Sequence, residues 1–322
     1  MSASILACFK AGFKPHFHPK IRPMPTQSAT PTPSHTLAGK KRHQGRIGLH
    51  FVITASLLLG LAAYVAAMAG LYFKQEALLF KPVPLAASQP LLGLTTQGEG
   101  VSEFTVAVPG AKLSGLQLAL PNPKGVVFFL HGNRGNLDEW FVNTSIYRRN
   151  NFDLVMVDYR GFGKSTGQID SEAQLHSDVR AVWDQMAPHY AGKKRVVYGR
   201  SLGSGLAAGL SADLNTEKTP PDLTVLVSPY SSMSTLTAQI YPYVPQAVLR
   251  YPLRTDQWLP KIKSPVLLMH GDKDTFIPPS HSQSLKALSP QAKLLIVNGA
   301  AHSDIHKFEA YLQGFGGVLA GL

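Results

Sequence analysis

"KRVVYGRSLGSGLAAGLSADL", Lys194–Leu214, decides the fold. A β-rich apolar run ends at Tyr198, and a run of small, helix-compatible residues begins at Leu202. Between them lies Gly199-Arg200-Ser201-Leu202-Gly203, a G-x-S-x-G pattern. A nucleophilic serine has to project from a very sharp strand-to-helix turn. The flanking glycines permit that turn and keep neighbouring elements from clashing. The helix start also aims backbone N–H groups and the positive end of a dipole at the hydroxyl. G-x-S-x-G alone is a weak signal, because Gly and Ser are common; a strand before it and a helix after it strengthen it.

The same kind of apolar run recurs along the chain, in "GVVFFL", "DLVMVDYR", "LTVLVSPY", "PVLLMHGD" and "KLLIVNGA". Continuous apolar runs predict strands buried on both faces. Helix-like segments separate most of them, for example Ser171–Met186, where Ser171 is the expected cap. "VSEFTVAV" and "LSGLQLAL" flank "PGAK" and read as a hairpin. Alternation of strand and helix predicts an α/β fold, a mainly parallel sheet with helices on both faces. Ligands in such folds bind beyond the C-terminal ends of the strands.

At those ends stand the partners a serine needs. A serine hydroxyl requires a base, and the base an orienting acid. An Asp within 272–274 follows one strand ("HGDKDTFIP") and His302 follows the last ("NGAAHSD"), in the order Ser, Asp, His. His281 and His306 are rival bases, each expected inside a following helix. "HGNRGN" after "GVVFFL" aims the backbone N–H of Asn133 toward the site. The N–H of Leu202, just after the serine, is the second donor for an oxyanion. "DYRGFGKSTG", Asp158–Gly167, imitates a phosphate loop. The glycine such a loop needs five residues before Gly163 is Asp158, and a dinucleotide pattern fails at Thr166. Its expected role is to turn the chain beside the site, with Asp158 and Arg160 bracing "HGNRGN".

The chain has 322 residues, 44% hydrophobic and only 16% charged. Phe51–Phe73 carries no charge; as a helix it rises about 34 Å, enough to cross a hydrocarbon core of about 30 Å. Eight of the twelve net positive charges lie in residues 1–50, leaving +4 for the body. The body therefore lacks the basic stripe of a nucleic-acid binder. The expected organisation is a disordered basic cytoplasmic tail over 1–50, a transmembrane signal anchor over 51–73, and a catalytic domain over 74–322. Lys40, Lys41, Arg42 and Arg46 before the span put the N-terminus on the cytoplasmic side, with the domain extracytoplasmic, periplasmic in a bacterium. Cleavage after "AMA", Ala67–Ala69, is the alternative to an anchor. Cys8 is the single cysteine, so no intrachain disulfide forms. His16 and His18 have metal-compatible spacing and no third ligand nearby.

"QEALLFKP", "HGNRGN", "DYRGFGKSTG", "YGRSLGSG", "SPVLLMHGDKDTFIP" and "GAAHSD" together resemble the α/β-hydrolase superfamily. More narrowly, they are similar to the membrane-anchored abhydrolase group related to serine aminopeptidase-like domains. That resemblance implies the α/β-hydrolase fold with a small cap, and a group that includes lysophospholipases and palmitoyl-protein thioesterases. It also implies Asp274 rather than Asp272 as the acid, through the pattern H-G-x-x-D-x-x-[IV]-P. Residues 234–261, rich in Tyr, Pro and Leu, occupy the position of the cap. Arg134 and Arg200 beside the proposed catalytic groups are candidate ligands for an anionic headgroup. The expected function is a membrane-anchored serine hydrolase of acyl esters or thioesters, on lipid or lipidated protein, with no cofactor and no metal. A peptidase with the same triad is the second reading. A non-catalytic membrane-tethered interaction protein is the third, and its hallmark, a missing triad residue, is absent.

Overall fold

The computed structural model describes residues 41–322. Cys8, the His16–His18 pair and most of the expected tail lie outside the described residues. The chain divides into two compact units, one ending at Leu59 and the other running from Gly60 to Leu322. Helix α1, Lys41–Phe73, contains no proline and is dominated by Leu and Ala, both strong helix formers. It starts at Lys41, inside the stretch expected to be a disordered tail. Its segment Gly48–Phe73 is long and apolar enough to cross a membrane.

Eight strands form the sheet of the second unit. They are β1 (Val101–Val108), β2 (Ala111–Leu118), β3 (Gly125–Leu130), β4 (Phe152–Val157), β5 (Lys194–Arg200), β6 (Leu223–Val227), β7 (Val266–Gly271) and β8 (Lys293–Val297). Their spatial order is β1-β2-β4-β3-β5-β6-β7-β8. The first two pair antiparallel, β2 pairs antiparallel with β4, and every later pair is parallel. The hairpin turn is shorter than the sequence suggested. Val108 pairs with Ala111, so Pro109 and Gly110 alone make the turn, with Gly110 at φ 75°. A two-residue loop demands a positive φ, and glycine supplies it.

Strands β3, β4, β6 and β7 are buried at every position, which explains their unbroken apolar runs. On one face pack α2 (Glu172–Met186), α3 (Leu202–Thr216) and α5 (Ser280–Leu288), through Leu175, Val179, Leu206 and Leu285. On the other pack Ser145–Asn150 and α6 (Glu309–Ala320), through Ile146, Tyr311 and Phe315. The Ser171 hydroxyl accepts from the Gln174 N–H at 3.2 Å, capping α2 as its position suggested. Between β6 and β7 the cap comprises α4 (Met233–Ile240), a single turn at Gln246–Val248 and a short helix, Thr255–Trp258. A two-residue strand, Lys81–Pro82, pairs parallel with Arg134–Gly135 outside the main sheet.

Candidate active site

Ser201 sits between β5 and α3 at φ 53°, ψ −121°. An L-residue pays about 1–3 kcal/mol to occupy such a region, and tight surroundings are what hold it there. Its N–H donates to Val227 O at 2.9 Å, tying the turn to β6. The two glycines are dictated by close approach. A Cβ on Gly199 would strike the Gly203 carbonyl and lie 2.6 Å from Ala207 Cβ, and one on Gly203 would strike the Leu130 carbonyl. Helix α3 thereby packs against the ends of β3 and β5 with its first turn beneath the serine.

Three side chains from three loops meet here. Ser201 Oγ lies 2.9 Å from His302 Nε2, and His302 Nδ1 lies 2.7 Å from Asp274 Oδ2. A carboxylate only accepts, so Nδ1 carries the proton, and Nε2 is left to accept from the serine hydroxyl. Asp274, 3% exposed, also accepts at Oδ1 from the N–H groups of Phe276 (3.0 Å) and Ile277 (2.8 Å). Burial pushes its pKa up. Hydrogen bonds from His270 and His302 outweigh burial and hold it well below the usual carboxylate range. Asp272 turns elsewhere: its Oδ1 accepts from the Gly299 N–H at 2.6 Å, which links the loops after β7 and β8.

The loop after β3 passes beside the serine. A Cβ on Gly132 would lie 3.7 Å from Ser201 Cβ. Asn133 is held from the side away from its N–H: its carbonyl accepts from Lys81 N at 2.7 Å, and its side chain donates to Leu79 O at 2.6 Å. Among the described residues neither the Asn133 N–H nor the Leu202 N–H has a protein acceptor. Asp158 braces this loop as expected. Its Oδ2 accepts from Leu137 N at 3.3 Å, and its Oδ1 faces His131 Nε2 at 3.5 Å. Arg160 does not. Gly161, at φ 77°, turns the chain, and Arg160 pairs with Asp178 of α2 at 2.5 and 2.8 Å while also donating to Pro109 O.

Arg134 is exposed on the short paired strand and forms no ion pair among the described residues. Arg200 is 8% exposed; its terminal nitrogens lie 3.1 Å from His302 O and from His306 Nδ1, and its guanidinium lies over the Trp140 ring. Two of its N–H groups brace the segment that carries His302 and His306. His306 stands in a one-turn helix, its pKa lowered to about 4 by burial and then by the Arg200 charge. His281, in α5, contacts Ser231 and Gln239. Neither rival is bonded to Ser201.

Sequence reasoning missed His270. It is fully buried at the end of β7, with Nε2 2.8 Å from Ile277 O and 3.3 Å from Asp274 Oδ2, and Nδ1 2.6 Å from Ser282 Oγ. A histidine inside the apolar run "PVLLMHG" was the available signal. It also missed the clamp made by Gln75 and Glu76. Gln75 donates to Val248 O (2.7 Å) and accepts from Arg250 N (2.8 Å), while Glu76 pairs with Arg250 and accepts from Tyr251 OH.

A family model described as serine aminopeptidase, S33, matches residues 121–253, and one described as the alpha/beta hydrolase fold matches residues 243–308. The chain is 29% identical over 216 residues to protein bem46 of Schizosaccharomyces pombe, covering 64% of this chain and 70% of that one. It is 30% identical over 186 residues to lysophosphatidylserine lipase ABHD12 of Danio rerio, covering 53% of this chain and 48% of the relative. The chain thus spans about half the length of that lipase. Among solved structures, the esterase Pf2001 of Pyrococcus furiosus aligns with a TM-score of 0.57 at 18% identity, over 75% of this chain and 97% of the esterase.

Proposed function

The chain belongs to the α/β-hydrolase superfamily, and we propose that it is a membrane-anchored serine hydrolase cleaving acyl esters or thioesters through an acyl-enzyme. The observation that carries this reading is the unbroken hydrogen-bond chain Ser201–His302–Asp274 at a strained strand-to-helix turn. In this reading Ser201 Oγ attacks the substrate carbonyl carbon as its proton passes to His302 Nε2. Asp274 holds the ring in that tautomer and stabilises the imidazolium. The N–H groups of Asn133 and Leu202 receive the oxyanion; the loss of one such donor costs about 100- to 1000-fold. His302 then protonates the departing alcohol or thiol. A water molecule, deprotonated by the same nitrogen, attacks the acyl-enzyme and frees Ser201.

An acyl chain suits the surroundings. Phe276 is exposed and stands edge-on to His302, with ring centroids 5.0 Å apart, giving the base an apolar wall. One relative, ABHD12 of Danio rerio, is a lysophosphatidylserine lipase by name. Arg134, exposed beside Asn133, is the cation left to meet an anionic headgroup. The apolar helix Gly48–Phe73 anchors the domain, with the preceding basic residues on the cytoplasmic side and the domain beyond the membrane. The test is labelling of the folded chain by a fluorophosphonate, wild type against Ser201→Ala. Labelling that depends on Ser201 is expected; its absence from folded wild-type protein sinks the reading. A panel of acyl esters, thioesters and peptide amides then separates esterase from peptidase.

A further inference from the structure

We propose that the edge of the cap formed by Ile240, Tyr241 and Tyr243 is a membrane-docking surface, immersed in the lipid leaflet entered by the end of helix α1. The proposal rests on the membrane-anchor part of the reading above, not on the hydrolase part. From Leu223 to Leu249 the sequence contains no Asp, Glu, Lys or Arg. Within that stretch Ile240, Tyr241 and Tyr243 stand 49%, 59% and 85% exposed, three large apolar side chains within four positions at the end of α4. Scattered apolar residues need no explanation, but a contiguous set does.

The occupant is indicated by what the edge touches. In the unit Gly60–Leu322, Tyr243 O accepts from Tyr64 OH at 2.9 Å. Tyr64 belongs to the apolar run of α1, so a segment bonded to it shares its depth. The cap is also fastened at the helix end, where the Arg250 guanidinium lies 5.6 Å from the centroid of the Tyr72 ring and Gln75 and Glu76 hold 248–251 as described. Two tyrosines with an arginine behind them form the sequence of groups that suits a lipid interface: amphipathic rings, then a cation at headgroup level.

Part of the backbone is prepared for lipid as well, although the Tyr243 N–H has no acceptor among the described residues. Immersed peptide groups must find partners inside the protein. Pro242 and Pro245 have no N–H to satisfy. Tyr241 N donates to Thr237 O, Val244 N to Tyr241 O, Val248 N to Pro245 O and Leu249 N to Gln246 O. Tyr64 supplies the donor that the Tyr243 carbonyl would lose on leaving water. Immersion holds the domain against the bilayer at its cap.

The test measures depth directly. In a Cys8→Ser background, single cysteines replace Tyr241, Tyr243, Leu61 (in α1) or Leu288 (exposed, at the end of α5), and each carries an environment-sensitive fluorophore. The full chain is placed in phosphatidylcholine vesicles containing phosphatidylcholine spin-labelled on its acyl chain, with iodide as the aqueous quencher. Tyr243 touches Tyr64 through its backbone, so changing its side chain leaves that contact in place, and Tyr241 provides an independent position. The expected result is a blue-shifted probe at both cap positions that loses most of its emission to spin-labelled lipid and is spared by iodide, as at Leu61. Iodide quenching at both, as at Leu288, overturns the proposal while Leu61 preserves the anchor. A Leu61 probe open to iodide overturns both. Fluorophosphonate labelling is read separately, so failure of the hydrolase reading is distinguishable from failure of this one.

Discussion

Asp274→Asn and Asp272→Asn, made as a pair, test the proposed acid. The Oδ1 of Asp274 accepts two backbone N–H groups, from Phe276 and Ile277 at 3.0 and 2.8 Å. An asparagine keeps those bonds only with its carbonyl oxygen on that side. Its NH2 is then forced to the Oδ2 position, 2.7 Å from His302 Nδ1 and 3.3 Å from His270 Nε2. Donor would face donor. His302 relieves this by moving its proton to Nε2, which faces Ser201 Oγ at 2.9 Å and then no longer accepts. The base is lost while the geometry survives. A wrong tautomer of this kind costs about 10⁴ in kcat, or about 5 kcal/mol at 1.36 kcal/mol per decade. Asp272 accepts from the Gly299 N–H alone among these groups, and an asparagine oxygen preserves that bond. Its rate is expected within about twofold of wild type, since conservative changes away from buried machinery stay within about 0.5 kcal/mol. The assay is kcat/KM on a chromogenic short-chain ester, with circular dichroism confirming that both variants fold. The reverse pattern, or an Asp274→Asn enzyme keeping more than about a tenth of its rate, refutes the reasoning.

Arg160→Ala removes one partner of a buried ion pair and leaves Asp178 uncompensated; the cost is expected to be about 3–5 kcal/mol, seen as a lower urea midpoint, with kcat of the folded fraction at low temperature unchanged. An unaltered midpoint contradicts the assigned pairing. His306 is held neutral, its pKa depressed to about 4 by burial and by Arg200. Against an unfolded value of about 6.5, its stabilising contribution is full above pH 6.5 and is lost as pH falls toward 4. His176, lowered to about 4 by burial, acts in the same direction, whereas the carboxyl groups of Asp158 and Glu172, raised by burial, oppose it. His306→Gln is therefore expected to flatten, not abolish, the fall in thermal midpoint over that window; identical slopes in wild type and variant remove His306 from the account.

What the sequence exposed and what it concealed divide along a physical line. Ser201, an Asp at 272–274 and His302 were legible as candidates because each lies just past an apolar run that marks a strand. The choice of Asp274 came from the family pattern, and the strand before His302 is a half-exposed edge strand. A polar residue at the mouth of such a run stands at the rim where ligands bind. Asp158 and Arg160 stand at the mouth of another such run, yet they diverge. One reaches His131 and the other crosses to Asp178, because Gly161 turns the chain between them and the partners come from distant loops. No local period encodes that choice. The clamp of Gln75 and Glu76 on 248–251 is illegible for the same reason, with its partners more than 170 positions apart. His270 is the instructive intermediate. An apolar strand that admits a histidine must satisfy two ring nitrogens or pay for their burial. Its presence in "PVLLMHG" already required polar groups behind β7. Ser282 Oγ and Ile277 O are those groups, and the second of them belongs to the loop that orients Asp274. A buried polar residue in an apolar run thus foretells a neighbour's position even where the pattern of the run itself says only strand.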